Sequence, residues 1–474
     1  MAGGGSRKTA TVLAALALAL GASEAKAGGL YFTDRGVRPM GRAGAFVAGA
    51  DDLGAIWYNP AGLADAGTSA LADFSWLRFQ SEYTRRLRIV DADNTVRYLD
   101  DPKLEGSSPI LPLPTLGASY NWGARKEWTV AGAVYAPYAA IVTYPETVQG
   151  KPSPARYALG SFDGSALIFT GAYLAYKPVE QFRVGIGLGA LVGVFQSTVT
   201  FSVSPPDRLI GAPEQPEYDA NSRFRVGPIF APTGSLGAIW APLKELRVGA
   251  SYQLPTVVSA SAKFDVRLPT AAIFDNAHID GDSAHVRFKL PSILRAGVEV
   301  RPTDDLRVEA AYVREFWSIH DAIEMTPDDV SFGGIAGLPK KVPIPPIRFP
   351  RNFQDSNSYR LGGEYTFKVW GYPMDLRAGV AYETTAVPPA YLSLLTIDMD
   401  KTVLSLGGGL HVGEHWRLDA MFAHLFASSV TVSADEARIP RVNPIPGNAP
   451  LKAVNGGRYS VAADLIGVGA NYKF

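Results

Sequence analysis

Few residues in this chain have the type and spacing that chemistry needs. His411-Val412-Gly413-Glu414-His415 spells H-x-x-E-H, an inverted zinc-peptidase motif. That chemistry requires both imidazoles on one helix face, so that they converge on a metal beside a glutamate base. Gly413 falls instead in a tight turn between two alternating segments, which sends the rings apart, and no metal site is expected. His278, His285, His320 and His424 have no partner at nucleophile spacing. With no cysteine, disulfides, thiolate metal sites and a cysteine nucleophile are excluded together. Gly185-Ile186-Gly187-Leu188-Gly189 and Gly407-Gly408-Gly409 are not followed by a helix, so they read as strand glycines and not phosphate cradles. Lys and Arg number 45 against 45 Asp and Glu, which gives no electrostatic case for nucleic acid. No cofactor and no catalytic residue is expected.

The elements that carry these residues begin after an address. Arg7 and Lys8 precede an Ala/Leu/Val run from Thr9 to Ala22, and Ala25-Lys26-Ala27 fits the small-x-small cleavage rule. Residues 1–27 read as a secretory signal peptide. Beyond Gly28 no apolar run reaches the roughly 18–20 residues of a transmembrane helix, so the exported chain is either soluble or crosses a membrane as a barrel.

Alternation and loop length separate those two. Leu246, Val248, Ala250 and Tyr252 alternate with Arg247, Gly249, Ser251 and Gln253. The same pattern recurs around Arg183, Arg307, Arg377 and Arg417. Fourteen strands are predicted, near 69–83, 113–123, 127–143, 166–177, 181–203, 229–241, 245–265, 284–301, 305–319, 356–369, 374–384, 401–412, 415–432 and 458–474. Their links alternate between tight turns such as Pro178-Val179-Glu180 and long polar or proline-rich loops, the longest from His320 to Asp355. Short turns on one side and long loops on the other mark an outer-membrane barrel, and an even strand count leaves both ends on the short-turn, periplasmic side. Tyr120, Trp122, Trp128, Tyr176, Phe182, Trp240, Trp370, Trp416 and Tyr472 gather beside the tight turns as an interfacial girdle. Arg183, Arg247, Arg307, Glu309, Arg377, Glu383, Arg417 and Asp419 then face the lumen, and charges of both signs there predict a paired, filled interior.

Residues 28–68 do not alternate. Gly36 to Ala50 is rich in Gly and Ala, and Trp57-Tyr58-Asn59-Pro60-Ala61-Gly62 reads as turns. Irregular backbone has no partners in lipid, so this segment either hangs in the periplasm or fills the barrel as a plug; its small residues favour the plug. The predicted organisation is signal peptide 1–27, hatch 28–68 and a 14-stranded antiparallel barrel 69–474.

On these residues a resemblance becomes specific. Gly41-Arg42-Ala43-Gly44-Ala45 and Ala50-Asp51-Asp52-Leu53-Gly54-Ala55-Ile56-Trp57-Tyr58-Asn59-Pro60-Ala61-Gly62-Leu63 resemble the N-terminal hatch of FadL-type outer-membrane transporters, with Asn59, Pro60 and Ala61 the most specific short motif. Leu290-Pro291 with Tyr312 to Ser318, Leu376 to Pro388 with Asp398 to Leu406, and Asn455 to Phe474 also sit where that family's pattern places them. The resemblance implies passive carriage of long-chain fatty acids, or of aromatic and aliphatic hydrocarbons, across the Gram-negative outer membrane. Cargo would be caught among the loops, bound above the hatch and released sideways through the wall into outer-membrane lipid.

The parts for this route are present. Pro137 interrupts the third strand, where a missing ladder donor suits a bulge or a break. The family's kinked strand opens a lateral gap there, which Tyr135, Tyr138 and Ala139 would line; a plain bulge is the other reading. Pro109 to Pro114 and Ile335 to Pro350 supply apolar loop surface, the second with Leu338, Val342, Ile344, Ile347 and Phe349. Such loops either form a groove or only pack on each other. Lys340, Lys341 and Arg348 are available to a substrate carboxylate. A general diffusion porin and a loop-borne adhesin remain as alternatives.

Overall fold

A strand with one apolar and one polar face satisfies both at once when its sheet closes into a tube with lipid outside. The computed structural model describes residues 34–91, 93–108, 112–136, 142–157, 160–161, 165–203, 214–444 and 452–474, and the predicted signal peptide lies outside them. Fourteen barrel strands follow in chain order. The first six are β1 (Ser69–Val90), β2 (Pro112–Trp122), β3 (Trp128–Tyr135), β4 (Ala166–Val179), β5 (Phe182–Ser202) and β6 (Asp219–Leu243). Four strands are then built in two pieces. They are β7 (Leu246–Gln253 and Thr256–Arg267), β8 (Ser283–Leu290 and Ile293–Val300), β9 (Leu306–Glu315 and Ala322–Pro327) and β10 (Ile347–Pro350 and Ser356–Val369). The wall ends with β11 (Tyr372–Glu383), β12 (Lys401–Val412), β13 (Trp416–Ala427 and Val430–Val432) and β14 (Gly457–Lys473). Each pairs antiparallel with its neighbour, and β14 returns to β1 from Ser69↔Lys473 to Arg85↔Gly457, closing the ring.

The turns behave as their composition predicts. One side has connections of two to five residues and the other fifteen or more. Trp370 and Gly371, at φ of 49° and 85°, form a two-residue turn between β10 and β11 whose twist matches its strands. Leu188 and Leu406 are 71% and 60% exposed on the outer face, whereas Arg183 and Arg377 are buried inside. Beside the short turns Tyr120, Trp122, Trp128 and Tyr176 stack in sequence, with Trp240, Trp370 and Trp416 also outward.

Three expectations change. β6 begins at Asp219, well before residue 229, because a bulge beside Gly227 flips the side-chain phase and hides the period of two. The loop from His320 to Asp355 contains paired strand, Ala322↔Pro350 to Met325↔Ile347, so the wall rises above the membrane there. Pro112 to Pro114 belong to β2 and not to a loop; residues 109–111 lie outside those described.

Candidate functional site

Residues 34–66 form two one-turn helices, Val37–Met40 and Ala55–Tyr58, and a 3-10 turn, Pro60–Asp65. Almost all are buried. They meet inward-facing groups around the ring, from Asp73 of β1, whose carboxylate accepts from the Val37 N–H, to Arg417 of β13 on Asp52. Their partners Arg183, Arg247 and Arg417 each stand second in their strands, so the segment lies at the short-turn end of the lumen.

The Asn-Pro-Ala element shows why those residue types are needed. Asn59 Nδ2 donates to the carbonyls of Val47 (3.0 Å) and of Ala238 in β6 (3.1 Å), while its Oδ1 accepts from Ala61 N–H (3.1 Å). One buried amide thus caps the 3-10 turn and ties the segment to itself and to the wall. Pro60 takes the first position of the turn, where no N–H is required. The wall is shaved to fit: a Cβ on Gly237 would lie 2.0 Å from Asn59 Oδ1, and one on Gly185 2.4 Å from the Pro60 carbonyl.

Charges bind segment and wall together. Arg38 bonds Asp51, Asp52 and Glu364 at 2.6, 2.9 and 2.7 Å. Arg307 reaches Asp51 and Glu299, Arg377 reaches Glu364, Asp375 and Asp419, and Arg183 and Arg247 share Asp65. Glu309 accepts N–H bonds from Val47, Ala48 and Gly49 at 2.6–2.9 Å, with Arg42 beside it. The predicted pairing of lumen charges is present. Removing one partner from such a buried set strands the other, which makes the set restrictive.

Above the segment the lumen turns apolar. One cluster holds Ile56, Trp57, Tyr135, Phe169, Tyr173, Ile229 and Val258; a second, on the β1–β13–β14 side, holds Phe79, Tyr83, Leu392, Met421 and Leu425. A small pocket of about 10 Å³, room for roughly one water, lies in the first, lined by Ile56, Trp57, Tyr135, Phe169 and Tyr173. Tyr135 stacks on Phe169 at 5.0 Å and meets Trp57 edge-on at 5.6 Å. Pro137, Tyr138 and Ala139 lie outside the described residues.

The loop residues named from sequence divide. Leu338, Val342 and Ile344 join a separate cluster with Phe274 and Phe332, whereas Ile347 and Phe349 pack toward the pocket's cluster. Lys340 is exposed, and Arg348 is exposed and paired with Asp321 at 2.8 Å. Sequence reading missed Arg351. It is 2% exposed, its Nε has no partner, and no described carboxylate pairs with it. Burial alone draws its guanidinium down to about 10. Phe349 before it packs on the first apolar cluster and Phe353 after it on the second. Its only sequence signal was arginine alternating with phenylalanines. His320, Nδ1 2.6 Å from the Lys289 carbonyl, lies near enough for the Arg351 charge to act on it. In the H-x-x-E-H run, His411 turns inward to Asp375 (3.0 Å) and His415 outward to the Lys473 carbonyl (2.7 Å).

A closed, lipid-facing ring of fourteen strands with an apolar chamber over a charged, filled floor defines an outer-membrane transport barrel for hydrophobic molecules. Residues 18–474 match the model of the family described as outer membrane protein transport protein (OMPP1/FadL/TodX), and the chain belongs to that family. Its members are passive transport channels, not enzymes. A protein of Neisseria meningitidis serogroup B named as an outer membrane protein is 23% identical, with 97% of each chain covered. Among solved structures, a Pseudomonas aeruginosa FadL homologue matches with a TM-score of 0.70 at 16% identity, covering 94% of this chain and 100% of its own. The Ralstonia pickettii toluene transporter TbuX matches at 0.58 and 17%, covering 93% and 99%.

Proposed function

We propose that this protein carries long-chain fatty acids passively across the outer membrane. Each buried methylene favours an apolar site by about 0.8 kcal/mol, so a greasy chamber captures a chain that a wet pore would pass over. The observation that carries the acid, and not a plain hydrocarbon, is Arg351: a buried guanidinium with no acidic partner among the described residues, between two apolar clusters. A hydrocarbon would leave that charge uncompensated; a carboxylate would pair with it. Leu338, Val342, Ile344, Ile347 and Phe349 would serve capture at the loops, with Lys340 and Arg348 at their rim. Residues 28–68, held through Asn59, Pro60 and Ala61, act as the hatch. Tyr135, Pro137, Tyr138 and Ala139 would line a lateral gap at the third strand.

Arg351→Met tests the assignment. Losing a charge-assisted bond should weaken oleate binding by about tenfold or more while leaving hexadecane or toluene binding unchanged, because such bonds contribute about 1.5–3 kcal/mol. The variant should fold at least as well as the parent, since the charge it removes is unpaired. Equal loss for oleate and hydrocarbon, or binding of toluene alone by the parent, overturns the fatty-acid reading.

A further inference from the structure

The ladder between β6 and β7 is interrupted. It runs from Ser235↔Gln253 to Leu243↔Leu246 below and from Asn221↔Arg267 to Val226↔Ala262 above; between them only the lower end is held, by Leu254 N–H on the Gly234 carbonyl and the Thr233 hydroxyl on the Leu254 carbonyl. Both edges stay attached to their other neighbours: Ile229 to Ser235 pair with β5, and Thr256 to Lys263 with β8.

Side-chain phase explains the break. Below it Ser235 and Gln253 share a face; above it the buried Val226 and Ala262 do. β6 changes phase at the top, at its bulge near Gly227, whereas β7 changes phase at the bottom, at Leu254-Pro255. Between the two shifts the pleats oppose each other. Ile229 and Ala231 point in and Phe230 out (72% exposed), while the buried Val258 and Ala260 face Phe230 and Pro228 across the seam. Strands in opposite phase cannot form a ladder. Pro232 removes a further donor from the edge that faces β7 at Gly234, where Leu254 N–H makes the last stitch at 2.8 Å.

The seam is apolar toward the lumen and, in its lower half, outward at Phe230 and Val257, and it starts where the pocket's lining of Thr233, Gly234, Ser235 and Gln253 ends. Exposed Arg287 and His285 of β8 stand beside its upper half, and Arg225 and Lys263 lie above it, so it is the lower half, at Phe230 and Val257, that opens at the upper edge of the lipid-facing band. We propose that the seam between β6 and β7 is a lateral opening through which apolar cargo leaves the pocket for the outer-membrane lipid, in addition to the gap proposed at the third strand. This rests on the transport reading above. Parting an unpaired seam breaks no ladder, whereas parting any fully laddered pair of strands would break several backbone hydrogen bonds in a medium that cannot replace them.

Phe230→Cys with Val257→Cys places two outward thiols across the seam in a chain with no other cysteine. Oxidation should cut radiolabelled oleate uptake into cells by about threefold, a barrier change of about half the 1.36 kcal/mol that gives tenfold, and reduction should restore it. Oleate binding by the purified protein should not change. Uptake unaffected by complete cross-linking overturns the seam while leaving the transport reading intact; absence of binding and uptake in the reduced protein overturns the transport reading itself. Should the thiols not join, a diazirine-bearing fatty acid photolysed during transport reads the route in the unsubstituted chain. Adducts on 228–233 and 254–260 are expected, and adducts confined to other strand boundaries contradict the seam.

Discussion

Single side chains in this barrel are governed by what happens to charge away from water. Arg42 is wholly buried and bonds Glu299 and Glu309 at 3.2 and 3.4 Å, a set with no way to relax by solvation if one member goes. His320 shows the same rule through titration. Its imidazole is drawn down to about 4, first by burial and then by the neighbouring Arg351 charge. The folded loop therefore keeps His320 neutral to about pH 4, while the unfolded loop takes up a proton near 6.5. Because the unfolded state binds more protons in that window, loop stability falls as pH drops from about 6.5 to 4 and is unaffected above it. Hydrogen-exchange protection of the segment from Trp317 to Phe353 in detergent micelles, taken relative to the intrinsic rate at each pH, should fall over that range, and His320→Phe should flatten the dependence. A variant with the parent's pH profile would show that His320 does not set it.

Strands and turns are the scale at which sequence was most readable. Fourteen strands, their order and the side of their short turns follow from a period of two plus turn residues, because lipid outside and a polar lumen inside enforce alternation on every strand. Reading failed where a bulge reverses the phase, at β6, and where the wall continues above the membrane, since outside lipid nothing enforces the pattern. Residues that shape the backbone were legible where geometry demands a residue type, as at Asn59 and Pro60, whereas an environment that only the fold creates was opaque: Arg351 is distinguished by burial alone. At this scale Gly237 and Gly117 make a matched pair. A methyl on Gly237 would meet Asn59 Oδ1 at 2.0 Å, whereas on Gly117 its nearest atom is 3.4 Å away. Gly237→Ala should cost about 1–3 kcal/mol of overpacking and lower the unfolding midpoint in detergent, with Gly117→Ala near neutral. Equal midpoints for both would mean that the segment's fit against β6 is not what holds it.

The whole molecule resolves one conflict: a wall wide enough to leave a lumen, and a cargo that a water-filled lumen serves badly. Ionic groups crowd the short-turn floor, two apolar clusters lie above it, further buried pairs such as Lys401–Glu383 and Arg85–Glu214 stand at the long-loop ends, and the outward face of the strands is lipid-like. Arg38, Arg183, Arg307 and Arg417 stitch the floor to Asp51, Asp52 and Asp65, and on the transport route proposed above the cargo then leaves through the sides. Ion current across a planar bilayer tests this most directly. The intact protein should pass no sustained current, and a chain lacking residues 34–66 should open a steady conductance of nanosiemens scale, as expected of a barrel this wide. A steady pore current from the intact chain, undiminished by the presence of that segment, would contradict the account.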